Sequence, residues 1–142
     1  MITLSREVYD TLVSHARRER PEEVCGILAG DYSDHARVVD TFRMENVASS
    51  PRTRYEIDPG EQLAVMETIE SRGYDVAGFY HSHPTGPDGP SETDRSVATW
   101  TGYSHVIVSL NGSNPFLGSW RWTGESFTPE AVCIDRHGER PL

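Results

Sequence analysis

The residues best suited to chemistry lie in one stretch, His81-Ser82-His83-Pro84 followed after a loop by Ser91-Glu92-Thr93-Asp94. Side chains at i and i+2 of a strand project to the same face. Two imidazoles at a strand's end can therefore grip one metal ion from one side. Residues 84–90 carry three prolines and two glycines, a rigid connection that turns the chain back and delivers Asp94 from the first turn of a helix. Two neutral imidazoles and a carboxylate form the three-ligand set of catalytic zinc, with a fourth position left for water. Magnesium prefers oxygen ligands, and a structural zinc site usually recruits cysteines. A plainer reading stands beside this one. Ser91-x-x-Asp94 also fits a capping pair, in which the aspartate reaches back to the Ser91 N–H. A single histidine at a strand end is most often a polar surface residue. Taken together with the loop between them, the three residues favour the metal.

The elements that must position this set follow from periodicity and punctuation. Ser5 reads as the N-cap of a helix whose apolar stripe is Val8, Leu12, Val13 and Ala16. Arg17, Arg18 and Arg20 suit its C-terminal end, and Pro21 limits it. Residues 24–30 read as a buried strand, 31–35 as a turn and 36–44 as an amphipathic strand. The polar stretch 46–54 reads as a loop before a short strand at Tyr55-Glu56-Ile57. Asp58-Pro59 is a strong helix start. That helix presents Leu63, Met66 and Ile69 and closes at Gly73. Further strands are expected at 75–81, 105–110, 116–122 and 132–134, with a short helix from Ser91 towards Trp100. Strands interleaved with three helices indicate a single-domain mixed α/β layer fold over residues 1–142.

Composition excludes several classes. Thirteen arginines, no lysine and 22 acidic residues give a net charge of −9, which argues against a nucleic-acid binder that tracks phosphates. An acidic, lysine-free surface suits a salt-rich cytosol, where self-repulsion is screened; a coding bias towards arginine explains it equally well. No apolar run approaches the roughly 20 residues of a membrane span. Residues 1–7 lack the layout of a signal peptide, so a cytoplasmic domain is expected. Cys25 and Cys133 do not make a disulfide framework, and two buried thiols are expected. His15, His35, His105 and His137 read as structural or surface residues. Trp120 and Trp122 share a strand face over the core or an interface, and Trp100 packs a helix on the sheet.

The run H-x-H-P-x6-S-x2-D, filled by His81, His83, Pro84, Ser91 and Asp94, resembles the signature of the JAMM (MPN-plus) metalloprotease family. Upstream, Pro21-Glu22-Glu23-Val24-Cys25-Gly26-Ile27-Leu28 is similar to that family's P-x-E-x-C-G-x-L segment. A weaker likeness covers Asn46-Val47-Ala48 and Tyr55-Glu56-Ile57-Asp58-Pro59. The resemblance implies an MPN fold, a mixed sheet flanked by helices in a cytidine-deaminase-like three-layer arrangement. It implies one Zn2+ per chain on His81, His83 and Asp94, Glu23 as general acid/base, and Ser91 steadying the oxyanion. Spacing alone leaves Glu22 and Glu23 open, since adjacent strand residues face opposite ways; the motif selects Glu23. Cys25, on the same face, then reads as small packing near the site. The implied activity is hydrolysis after the C-terminal Gly-Gly of ubiquitin-like modifiers joined to lysines, a desampylase-like isopeptidase. The short chain lacks room for the insertions of chain-type-selective members. Two alternatives stay open, release of a ubiquitin-like sulfur-carrier protein and an inactive MPN scaffold. The modifier's extended tail is expected to pair with a sheet edge in residues 31–46.

Overall fold

The computed structural model describes residues 1–135. Eight strands form one sheet in the order β7-β6-β5-β4-β2-β3-β1-β8. The elements run β1 (Ile2–Ser5), α1 (Arg6–Glu19), β2 (Cys25–Asp31), β3 (Ala36–Met44), α2 (Pro59–Ser71), β4 (Asp75–His83), α3 (Glu92–Val97), β5 (Ser104–Ser109), β6 (Phe116–Trp122), β7 (Phe127–Glu130) and β8 (Val132–Asp135). The central strand β4 runs antiparallel to β2 and parallel to β5. No helix among the described residues is long and apolar enough to cross a membrane.

The sheet separates two apolar clusters. On one face, Val8, Leu12, Val13 and Ala16 of α1 pack on Leu4, Leu28, Val38, Tyr80 and Val106. On the other, Ile69 of α2 joins Cys25, Ile27, Met44 and Phe79, with Tyr55, Ile57 and Met66 partly buried against them. This is the expected mixed sheet with helices on both faces. Ser5 caps α1 by accepting the Val8 N–H at 3.0 Å, and Asp58 caps α2 by accepting the Glu61 N–H at 3.0 Å. Gly73, at φ +83°, takes the left-handed conformation that ends α2.

Several expectations are corrected. Residues 2–5 form a strand, held parallel between β3 and β8. Residues 127–130 form a second unforeseen strand, whose Pro129 is tolerated because β7 is an edge. Tyr55-Glu56-Ile57 is not a strand; the Asn46 side chain, rather than a ladder, takes the Glu56 N–H at 3.1 Å. Leu63 is exposed rather than core-facing. Both cysteines are free, but only Cys25 is buried, because Cys133 lies exposed on the edge strand β8.

Candidate metal centre

β4 ends in His81-Ser82-His83, and its alternation turns both imidazoles to the α2 face. β2 lies beside it, with Cys25 paired to His81, so Glu23 just ahead of β2 stands next to the histidines. The 84–90 loop then leads to α3, whose cap sets Asp94. Ser91 Oγ accepts the Asp94 N–H at 3.0 Å, and the Ser91 N–H donates to Asp94 Oδ2 at 2.9 Å. The capping reading and the ligand reading of this pair therefore describe one arrangement. The cap holds the carboxylate so that the same Oδ2 faces both histidines.

His81 Nε2 and His83 Nε2 lie 3.2 Å apart, and Asp94 Oδ2 lies 3.1 and 3.0 Å from them. All three side chains are buried. His83 Nδ1 stands 2.8 Å from the Pro87 carbonyl, which can only accept, so Nδ1 carries a proton and Nε2 is the atom turned to Asp94 and able to ligate a metal. Two ring nitrogens and a carboxylate oxygen this close can share one cation. One proton satisfies two of them; a metal ion satisfies all three. A tetrahedral ion with bonds of about 2.0–2.1 Å sets its donor atoms roughly 3.3 Å apart, close to the edges observed. The residues present thus fit a small divalent ion.

Glu23 completes the group. One oxygen of its carboxylate and one nitrogen of each histidine lie within 4.8 Å of one another. Its Oε1 is buried without a hydrogen-bond partner. Burial, reinforced by the Asp94 charge and opposed by His83, pushes the Glu23 carboxyl up to about 7. For Asp94, burial works against ionisation, but hydrogen bonds from His81, His83 and the Ser91 N–H hold its carboxyl well below the usual range. His81 is lowered, its burial outweighing the attraction of Asp94. His83 is raised: burial opposes this, but the bonds to Asp94 and Pro87 prevail. The Cys25 thiol is pushed up to about 12 by burial and the Glu23 charge, which leaves it inert packing, as expected.

Of the other singled-out residues, Glu22 is exposed. His15 is buried with Nδ1 2.8 Å from the Tyr80 hydroxyl, and His35 Nε2 lies 2.8 Å from Thr3 Oγ1. His105 is buried against Phe79, and Trp100 stacks on the same ring. Trp122 is buried beside Phe127, while Trp120 is half-buried. His137 lies outside the described residues. Three groups at the centre escaped the sequence reading. Tyr55 stacks on His81 with ring centroids 4.5 Å apart, the Pro87 carbonyl orients His83, and Ser82 bonds to Val24. Only Asn46-x-Ala48, a spacing that suits an Asx turn, hinted at the loop that brings Tyr55 in. A cleft of about 230 Å³ adjoins His81 and Asp94, lined also by Tyr55, Gln62, Trp100 and Phe127.

The family described as prokaryotic homologs of the JAB domain matches residues 5–123. The chain belongs to that family. Among its JAB-domain relatives, a desampylase of Haloferax volcanii is 42% identical over 138 residues, covering 94% of this chain and 96% of that protein. A CysO-cysteine peptidase of Mycobacterium tuberculosis is 34% identical over 135 residues, covering 94% and 91%. The JAB1/MPN domain protein AF2198 of Archaeoglobus fulgidus superposes with a TM-score of 0.61 at 22% identity, covering 93% of this chain and 97% of that one. This likeness concerns the fold alone, which is the mixed α/β arrangement of JAB/MPN domains.

Proposed function

We propose that this JAB-domain protein is a zinc-dependent isopeptidase that cuts the bond after the C-terminal Gly-Gly of ubiquitin-like modifiers joined to target lysines. The observation that carries this reading is the convergence of His81 Nε2, His83 Nε2 and Asp94 Oδ2 within 3.2 Å, beside a Glu23 oxygen buried without a partner. In this reading His81, His83 and Asp94 hold one zinc. When bound there, zinc polarises the scissile carbonyl and acidifies a water molecule. Glu23 accepts a proton from the attacking water and returns it to the leaving lysine amine. A carboxylate beside the histidines with one oxygen unpartnered can do both. Ser91 Oγ already accepts the Asp94 N–H, so its own O–H is free to donate to the developing oxyanion. The Pro87 carbonyl and the Tyr55 ring keep the two imidazoles oriented.

Likeness to the desampylase over nearly the whole chain supports the substrate class. With no lysine of its own, the protein cannot become its own lysine-linked substrate. Among the described residues β1 pairs with Ala36, Arg37 and Val38 of β3, which leaves the later part of that edge for a modifier tail. A second reading, release of a ubiquitin-like sulfur carrier after its Gly-Gly end, is favoured by the likeness to the CysO-cysteine peptidase. An inactive scaffold calls for a broken donor set, and the convergence of His81, His83 and Asp94 speaks against it.

The test is metal analysis coupled to cleavage, at low and high salt, of a lysine-linked Gly-Gly conjugate and a linear carrier fusion. About one zinc per chain, with cleavage of the lysine-linked conjugate lost on chelation and restored by zinc, is expected. Preference for the linear fusion would favour the second reading. Cleavage that persists without metal would overturn both.

A further inference from the structure

Asn46 leaves the end of β3 and bonds four backbone groups with one side-chain amide. Nδ2 donates to the carbonyls of Glu23 at 2.9 Å and Arg54 at 3.0 Å, with Pro51 more distant at 3.5 Å. Oδ1 accepts the N–H groups of Ala48 at 3.0 Å and Glu56 at 3.1 Å. The Glu23 N–H in turn donates to the Pro51 carbonyl at 2.7 Å. Both backbone polar groups of Glu23 are therefore held by the segment that Asn46 organises. Glu23 precedes the first ladder pair of β2, Cys25 with His81; β4 bonds its neighbour Val24 through Ser82, while Glu23's own N–H and carbonyl are bonded by the 46–56 segment. The Glu56 N–H, bonded to the same amide, is adjacent to Tyr55, whose ring lies on His81.

We infer that Asn46 is a positioning residue that ties Glu23 and the His81-stacking Tyr55 into one unit around the centre. Its amide is spent on backbone groups, so it acts through Glu23 and Tyr55. A side chain that merely stapled a surface loop would bond within residues 46–56; this one reaches across to the residue that carries the proton. The kinetic part of the claim rests on the proposed function above, whereas the structural part does not.

Asn46→Ala and Asn46→Asp in the full chain separate these parts, because aspartate keeps the acceptor towards Ala48 and Glu56 but loses the donors towards Glu23 and Arg54. Both variants should fold and bind zinc as wild type does. On a lysine-linked Gly-Gly conjugate, kcat should fall at least about 10-fold with KM within about 2-fold, the pattern of a displaced catalytic group. In metal-free protein, amide exchange at Glu23 should quicken about 10-fold in both variants, but at Ala48 and Glu56 only in Asn46→Ala. Unchanged exchange at Glu23 overturns the inference. So does wild-type kcat despite quickened exchange, a loss of kcat that merely tracks lost zinc, or failure of both variants to fold. If wild type itself does not cleave the conjugate, the proposed function falls, and the exchange measurement alone decides whether Asn46 positions Glu23.

Discussion

Ser82, between the two histidines of β4, is bonded twice to Val24, the residue after Glu23. Its Oγ accepts the Val24 N–H at 2.9 Å and its own N–H donates to the Val24 carbonyl at 3.1 Å. Strand alternation turns Ser82 away from the centre, yet this double bond holds Val24, the residue next to Glu23, against β4. Ser82 has no solvent exposure, so no water can replace the hydroxyl. Ser82→Ala should leave the Val24 N–H orphaned at a cost of about 1–3 kcal/mol. A lowered thermal midpoint together with reduced turnover is expected; an unchanged midpoint would contradict the clamp.

Gly26 lies under the Tyr80 ring. A Cβ at Gly26 would fall 2.2 Å from Tyr80 Cε1, and Tyr80 is buried and bonded to His15. Gly26→Ala must displace the ring, an overpacking that costs about 1–3 kcal/mol. Because His81 follows Tyr80, zinc affinity should weaken as well. Chemical denaturation and a zinc titration would detect both effects, and a variant matching wild type in each would refute this packing account.

His15 and His105 each contribute stability that is lost on acidification below neutrality, opposite in sign to Glu23, whose raised carboxyl contributes less as pH rises from about 4.5 to 7. Burial holds His15 and His105 at about 4 in the folded protein, against 6.5 for the ordinary side chain. Between these values the unfolded chain binds protons there that the folded one does not, so their share of the unfolding free energy rises with pH. The slope reaches about 1.4 kcal/mol per pH unit for each histidine, and the contribution is complete above about 6.5. His15→Gln should reduce the slope measured by denaturation between pH 4 and 6.5. A slope that stays at its wild-type value would rule out His15 as a source.

Asp94 serves the α3 cap and the centre through one oxygen. Asp94→Ala should abolish zinc binding and lower the melting temperature, because the Ser91 N–H loses its acceptor. Isothermal titration with zinc reports the first effect and a thermal scan the second. Retention of wild-type zinc affinity would remove Asp94 from the donor set.

The sequence made the centre's donor atoms legible because their signals are local. Alternation puts His81 and His83 on one face, and the Ser91-x-x-Asp94 cap is a short-range motif that the structure reproduces. Asp58-Pro59 announced α2 for the same reason. What escaped is non-local. β1 has only four residues and runs straight into α1, and its partners β3 and β8 are distant in sequence. Pro129 argues against a strand until the topology puts it on an edge. Tyr55-Glu56-Ile57 alternates like a strand, yet a single amide, Asn46, claims its backbone. Glu23 could be told from Glu22 only through the motif, and the structure supplies the physical difference: Glu23 is buried beside the histidines and Glu22 is exposed.

The most direct test of the proton-carrying carboxylate is Glu23→Gln, assayed for zinc content and turnover of a lysine-linked Gly-Gly conjugate in the same preparation. Glutamine preserves shape and removes only the capacity to accept and return a proton. The expected result is zinc bound as in wild type with turnover reduced by about 10²–10⁴-fold or more. Wild-type turnover in a zinc-replete Glu23→Gln protein would contradict the account.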